Sequence, residues 1–551
     1  MCGIIAAISV DRPVDRRLLD AATDTLVHRG PDHGASWIAD SQHVGLGYRR
    51  LSILDLPGGN QPLFSESGDI CLVANSEFYN YRELQRGLAD RGHALRSDVD
   101  AEVVLHLYEE RGPDCLLALR GEFAFALWDA GRRCLFAARD RLGIRPLYFA
   151  MHEGTLFLAS EVKALWALGV PARWDLKSVY RVCHFIGHLG GPHRTLFAGV
   201  HQVPPGHYLL AKDGACRVEP YWDLEFPTEE ELDQSRAQDI ERIERTREIL
   251  EEAVRLRLQS DVPVAFYLSG GLDSSCVIGM AARHLREPPH ALTILFGTED
   301  QREFDVARRT VDCLGGTVQP IVVTQKILAE RLCEVVRHAE SVFFNNQGVG
   351  RFLMSEAARR AGYKVVLTGD GADELFSGYP TFVLDQLQYG TASTRPSAPL
   401  RASDLRGEDI EQHLDEVSAG PLAVIARQLG WIPGWLWSFH LAGEQLLDLL
   451  HPDFRASFDG WNVYEELLQD LQLPERMRGR EPLAVSLYAW SKCMLPHYIL
   501  SYQSDRVDMA HGIEGRVPML DHELVEHVVG LPSELKVRGA VEKYALREAA
   551  R

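Results

Sequence analysis

Met1-Cys2-Gly3-Ile4-Ile5 opens the chain, and this stretch decides how its first half is read. Removal of Met1 makes Cys2 the N-terminus, so one residue carries a thiol and a free α-amine. The amine titrates near pH ~8 and can serve as general base to its own thiol, directly or through a water. Taken alone, Met-Cys is also an ordinary start for a cytosolic chain. The residues that follow weigh between the two.

Four motifs come next in order: His28-Arg29-Gly30-Pro31-Asp32, Arg50-Leu51-Ser52-Ile53-Leu54-Asp55, Asn75-Ser76-Glu77-Phe78-Tyr79-Asn80 and Asp98-Val99-Asp100-Ala101-Glu102. With Cys2-Gly3 ahead of it, the set resembles the class II glutamine amidotransferases, which are N-terminal nucleophile hydrolases. Glutamine presents a carboxylate, an ammonium and a side-chain amide. A guanidinium binds carboxylate bidentately, and Arg50 is the matching candidate. Glu77 and Asp100 can hold the ammonium. The resemblance adds Leu51, Ser52, Ile53 and Leu54 to the glutamine site. It also assigns the oxyanion donors to the Asn75 amide and the Ser76 N–H. Ser76 stands where the family usually has glycine, so strain or crowding and a weaker glutaminase are expected there. His28 and Arg29 read as braces for the loop ending at Pro31.

The chain has 551 residues, enough for two or more domains. Acidic residues outnumber basic ones, 78 to 58, for a formal charge of −20. That balance argues against a general nucleic-acid surface. The 10 cysteines show no metal-type pairing, which fits a reducing cytoplasm. Cys71, Cys134, Cys276 and Cys333 lie in apolar contexts and read as buried thiols. Asp11, Arg12, Asp15, Arg16 and Arg17 interrupt any secretory signal, and no apolar run is long enough to cross a membrane.

Residues 2–215 read as a β-rich glutaminase domain, with short alternating runs divided by turns such as Glu153-Gly154 and Asp213-Gly214. Residues 216–239, acidic and Pro-containing, read as a linker. Residues 240–551 begin with a helix and then alternate strand and helix, which predicts a parallel α/β sheet. Arg395–Asp404 reads as a surface loop. Leu422–Leu450, apolar and broken at Pro433, reads as a buried helical hairpin.

Leu268-Ser269-Gly270-Gly271-Leu272-Asp273-Ser274-Ser275 falls between a predicted strand and a predicted helix. Small residues there let backbone N–H groups wrap a pyrophosphate, and the helix N-terminus favours its charge. The string is not a Walker A motif. It matches the loop of enzymes that split ATP into AMP and pyrophosphate. Thr368-Gly369-Asp370-Gly371-Ala372-Asp373-Glu374 follows a second strand, so Asp273 and Asp373 are placed to share Mg²⁺.

With Asp505-Arg506-Val507-Asp508, Glu514-Gly515-Arg516-Val517-Pro518 and Glu542-Lys543-Tyr544, these segments resemble asparagine synthetase through nearly the whole chain. The resemblance implies an αββα sandwich followed by a parallel-sheet α/β ATP-pyrophosphatase domain with added helices. It implies ATP and Mg²⁺, glutamine as nitrogen source and a carboxylic-acid acceptor that becomes an acyl-adenylate. Ammonia would cross between domains by a tunnel. By matching position Leu268 and Phe296 flank the adenosine, Thr368 and Gly369 line its pocket, and Ser269, Gly270, Gly271 and Ser274 hold phosphate. Asp370 takes the acidic position tied to ammonia attack, and Lys543 stabilises charge on the phosphate or tetrahedral intermediate.

Aspartate is the default acceptor under this resemblance, but Glu340 to Arg351 departs from the aspartate-using pattern. Glu340 and Arg351 are the acceptor-binding candidates, with Arg351 equally readable as a surface arginine. The alternative is the same chemistry on another acid in specialised metabolism. A non-catalytic regulatory relative sits poorly with intact Cys2, Asp273, Asp373 and Lys543. No nucleic acid and no membrane are expected as partners, and a homodimer is compatible with the family. The sequence ends soon after Lys543, where family members usually continue, so the lid over the second site is left open.

Overall fold

A computed structural model describes residues 2–185, 191–232, 235–297, 301–390 and 420–551. The stretch 395–404, read as a surface loop, lies outside the described residues.

Strand β1 (Cys2–Ser9) sets the architecture of the first half. Its side chains alternate: Cys2, Ile4 and Ala6 face one apolar cluster, and Ile5 and Ala7 face another. A strand buried on both faces must lie between two layers. One layer is the helix Arg16–Asp24, whose Leu19 and Ala22 meet Ile5 and Ala7. The other is a second sheet, reached through Cys71, Val73, Ala124 and Ala126.

Two antiparallel six-stranded sheets result. The first also holds β2 (His33–Ile38), β3 (Val44–Arg50), β8 (Tyr148–His152), β9 (Thr155–Ala159) and β10 (Val200–Gln202), in the order β10-β8-β9-β1-β3-β2. The second comprises β4 (Leu63–Phe64), β5 (Ile70–Phe78), β6 (Gly121–Asp129), β7 (Cys134–Arg139), β11 (His207–Lys212) and β12 (Ala215–Pro220), in the order β12-β11-β7-β6-β5-β4. The opposite face of β5 and β6, carrying Leu72, Ala74, Phe123 and Phe125, packs on Val103, Val104 and Leu107 of the helix Glu102–Arg111. The layers therefore run helix, sheet, sheet, helix.

β12 pairs with β11 from Ala215 to Pro220, so strand structure continues into the segment read as linker. Leu224 and Phe226 beyond it are buried, and Asp223 bonds Lys492 and Arg476 of the second half. The acidic character of 216–239 hid these anchors.

The second half contains β13 (Val264–Tyr267), β14 (His290–Phe296), β15 (Thr317–Val323), β16 (Val365–Leu367) and β17 (Glu514–Arg516), all parallel. Their order is β15-β14-β13-β16-β17. The chain winds outward from β13 to β15, then returns to lay β16 on the other side of β13. That reversal opens a crevice beyond the carboxyl ends of β13 and β16, where open α/β sheets bind ligands. The helical hairpin is present as Ala423–Leu429 and Gly434–Leu447, with Pro433 at the break and Trp435 buried. No described helix is long and apolar enough to cross a membrane. Cys71, Cys134 and Cys276 are buried as expected, but Cys333 is exposed. It lies on the helix Gln325–Ala339, where the inward positions are taken by Leu328, Val335 and Ala339.

A seam of buried charge joins the halves. Arg29 donates to Asp505 at 2.7 Å, Glu122 accepts from Arg257 at 3.0 Å, and Arg516 pairs with Glu77 at 3.0 Å. All six side chains are almost fully buried.

Candidate active sites

Cys2 lies at the start of β1, and its register partner on β3 is Arg50. The Cys2 backbone N–H donates to Asn75 Oδ1 at 2.8 Å. That bond fixes the amide so that Asn75 Nδ2, fully buried, is left without an acceptor. A buried donor with no partner beside a thiol is what a developing oxyanion requires. Tyr48 Oη lies 2.9 Å from Cys2 Sγ. Burial pushes the Cys2 thiol up, while the Tyr48 hydroxyl and the Leu51 N–H pull the other way. A nearby base is therefore needed to generate thiolate.

Arg50 is 4% exposed, and its guanidinium donates to the carbonyls of Leu54, Asp55 and Leu56 and to Asn60 Oδ1 at 2.6–3.3 Å. These bonds shape the loop 51–60. Among the described residues no carboxylate pairs with Arg50, so its charge is available to one. Glu77 is held by Arg516, and Asp100 Oδ2 accepts from the Phe78 N–H at 2.8 Å. Burial raises Glu77 well above the usual carboxylate range and, with repulsion from Glu514, lifts Asp100 to about 6.

Ser76 does not carry the strain expected of a non-glycine residue. It lies within β5 opposite Phe123 and is not among the positive-φ residues. Its Oγ reaches Asp100 at 3.5 Å. His28 and Arg29 do more than brace a loop: His28 bonds Glu161, and Arg29 Nε donates to the Cys2 carbonyl at 3.1 Å while reaching Asp505.

The second site is a cavity of about 480 Å³ at the sheet's crevice. Leu268, Ser269, Asp273 and Ser274 line it from the loop after β13. Phe296 comes from the end of β14, and Thr368, Gly369, Asp370 and Asp373 from the loop after β16. Two glycines permit this. Gly270 has φ +80°, and a Cβ there would meet the Glu303 carbonyl at 2.5 Å. At Gly369 a Cβ would lie 2.8 Å from the Ser274 nitrogen, so the two loops touch only because it is absent. The helix Leu272–Ala282 starts at Gly271 with its N-terminus toward the cavity loop.

Lys543 Nζ stands between Asp273 Oδ2 and Asp373 Oδ1, 2.6 Å from each. Burial opposes its charge, but the two carboxylates outweigh burial and hold it above the usual lysine value. Asp273 Oδ1 is buried without a partner. The pair of carboxylates and this bare oxygen are hard donors of the kind a Mg²⁺ ion takes.

Arg351 is not a surface arginine. It lines the cavity and is half-buried, with Nε and Nη2 on Asp508 Oδ2 at 2.9 and 2.7 Å and Nη1 on Asp370 Oδ2 at 2.5 Å. Glu340 departs from the expectation of acceptor binding. It is not among the residues lining the cavity and instead accepts from the Val162 and Lys163 N–H groups, both at 2.7 Å, and pairs with Arg506 at 2.8 Å. A left-handed Glu340 backbone, φ 54°, ends the preceding helix and turns the side chain into the seam between the halves.

The glutamine amidotransferase domain family matches residues 1–222, and the asparagine synthase family matches residues 245–551. The chain belongs to the asparagine synthase family. As a member it is a glutamine-dependent carbon–nitrogen ligase, and the family uses ATP. Amidase chry2 of Gibberella zeae is 35% identical, over 97% of this chain and 82% of that protein. Amidase chyE of Penicillium rubens is 35% identical over the same shares. Asparagine synthetase 3 of Bacillus subtilis is 29% identical, over all of this chain and 84% of that one.

Several groups escaped the sequence reading. Tyr48 had a usable signal: alternation along β3 places it on the same face as Arg50. Arg516, Glu514 and Asp508 sit in quoted motifs, but their partners lie in distant segments that no local pattern announces.

Proposed function

We propose that this asparagine synthase family member converts an acceptor carboxylate to an amide, with aspartate as the default acceptor. The observation that supports the reading is the coexistence of two clusters in one chain. One is a thiol beside an unpartnered amide donor; the other is a phosphate loop facing Asp273, Asp373 and Lys543. In the first, the Cys2 amine, once freed, takes the thiol proton and the sulfur attacks the glutamine amide. Asn75 Nδ2 and the Ser76 N–H meet the oxyanion, ammonia leaves, and water hydrolyses the thioester. In the second, the acceptor carboxylate attacks the α-phosphorus of ATP and pyrophosphate departs. Ammonia then displaces AMP from the acyl-adenylate. Asp273 and Asp373 would hold Mg²⁺, which neutralises charge on the pyrophosphate oxygens when bound. Lys543, freed from part of that pair, would face the phosphate.

A second reading, amidation of a different acid, is favoured by Arg351. Its guanidinium is already met by Asp370 and Asp508, which leaves little of its charge for an acceptor carboxylate. The resemblance to two proteins named amidases points the same way. Pyrophosphate release measured with glutamine and a panel of acids tests both. Aspartate-dependent release with asparagine formed establishes the default, release with another acid only establishes the second, and no release with any acid overturns both. A reducing cytoplasm is the proposed setting, consistent with free thiols at every cysteine.

Asp100 supplies a pH dependence. Its folded pKa of about 6 lies above the ordinary 3.8, so it is ionised only above that value. The KM for glutamine should rise about tenfold per pH unit below 6, while ammonia-dependent synthesis keeps its own profile. A glutamine KM that is flat from pH 7 to 5 removes Asp100 from the ammonium site.

A further inference from the structure

Four side chains that neither site uses converge on the first half. Glu66 lies in the turn between β4 and β5, His93 in the segment after the helix Tyr81–Asp90, and His106 and Glu109 one turn apart on the helix Glu102–Arg111. We propose that Glu66, His93, His106 and Glu109 bind one zinc ion. One donor atom from each lies within 4.8 Å of every other. His106 Nδ1 is 3.1 Å from Glu109 Oε2 and 3.7 Å from Glu66 Oε2. His93 Nδ1 is 3.8 Å from Glu66 Oε1 and from Glu109 Oε2. Tetrahedral zinc with bonds of about 2.0–2.1 Å sets its ligand atoms roughly 3.3 Å apart, so the cluster, whose donors lie within 4.8 Å of one another, must draw in by up to about 1.5 Å to complete the shell.

The surroundings match a metal site better than a set of surface ion pairs. Both imidazoles turn Nδ1 inward, and His93 is backed by a carboxylate on its other nitrogen. His93 Nε2 lies 3.1 Å from Glu110 Oε1, and His106 Nε2 faces Glu102 Oε1 at 3.8 Å with no hydrogen-bond partner. A carboxylate hydrogen-bonded behind a ligating histidine fixes its ring and raises its basicity, as Glu110 does for His93. Glu66 is itself held, accepting the Ala94 N–H at 2.7 Å. His106 is buried, whereas Glu66, His93 and Glu109 are partly open, which leaves a path for entry. Two neutral imidazoles and two carboxylates suit zinc over calcium or magnesium, which take oxygen shells. The ion would pin the β4–β5 turn to the helix that begins just after Asp100, and so steady the glutamine site from behind.

The full-length protein, stripped with a chelator and dialysed, is titrated with zinc against a chromophoric competitor. One zinc per chain with a micromolar or tighter Kd is expected, together with a rise in Tm. His93→Asn and Glu66→Gln, both at accessible positions, should weaken binding at least tenfold with the circular dichroism spectrum unchanged. Glu110→Gln should weaken it roughly 10-fold through His93. Cobalt(II) in place of zinc should give tetrahedral d–d absorption without thiolate-to-metal charge transfer. A wild-type protein that binds no stoichiometric zinc, variants that bind as tightly as wild type, or a cobalt spectrum dominated by thiolate each overturn the site.

Discussion

Cys2→Ala abolishes glutamine-dependent amide formation and spares synthesis from added ammonia. The sulfur lies in the same site as the unpartnered Asn75 Nδ2, and alanine offers no nucleophile in its place. Loss of a covalent nucleophile costs on the order of 10³-fold or more in rate. The substitution removes a buried sulfur and its contact with Tyr48, a small change in packing for a residue at the end of a strand. The second cavity is built from the loops after β13, β14 and β16 and contains no atom of Cys2. Steady-state rates with glutamine and with ammonium chloride, measured side by side, give the answer. Parallel collapse of both in a folded variant would mean that the two chemistries are not divided between the halves.

Asp273→Ala gives the mirror image: pyrophosphate release falls on the order of 10²–10³-fold or more, and glutaminase activity persists. The substitution removes the bare Oδ1 offered to a cation and one of the two anions that position Lys543. Asp273→Asn separates these roles, because it keeps the shape and one acceptor oxygen but loses the charge. If charge is what matters, Asn should be nearly as impaired as Ala. Equal loss of glutaminase and pyrophosphate release in Asp273→Ala would contradict the assignment.

Most of the architecture was legible in the sequence because it rests on local periodicity. The short alternating runs of residues 2–215 predict the β-rich first half, and the strand and helix alternation after residue 264 predicts the parallel sheet. The glycine-rich loop and the Thr368–Glu374 loop could be read as ligand loops because turn chemistry and phosphate binding share residue types. What stayed hidden depends on contacts between distant segments. β17 is three residues long and carries Glu514, Gly515 and Arg516, which look like loop residues until β16 pairs with them. Glu340 read as an acceptor ligand because it matches a glutamate of the aspartate-using relatives; its left-handed backbone turns it instead to Arg506. Arg351 read as ambiguous because its partner Asp508 lies far along the chain.

The pairs Arg29–Asp505, Glu122–Arg257 and Glu77–Arg516 also decide how the two portions are held. Each takes one partner from either side, and stripping one member from a desolvated pair costs about 3–5 kcal/mol. Arg29, Glu122 and Arg516 each keep a second partner on their own side, Glu161, Arg145 and Glu514, so the seam is a connected network rather than three isolated bonds. A substitution at any of these positions is therefore transmitted to both portions, and the charge pairing ties their mutual orientation.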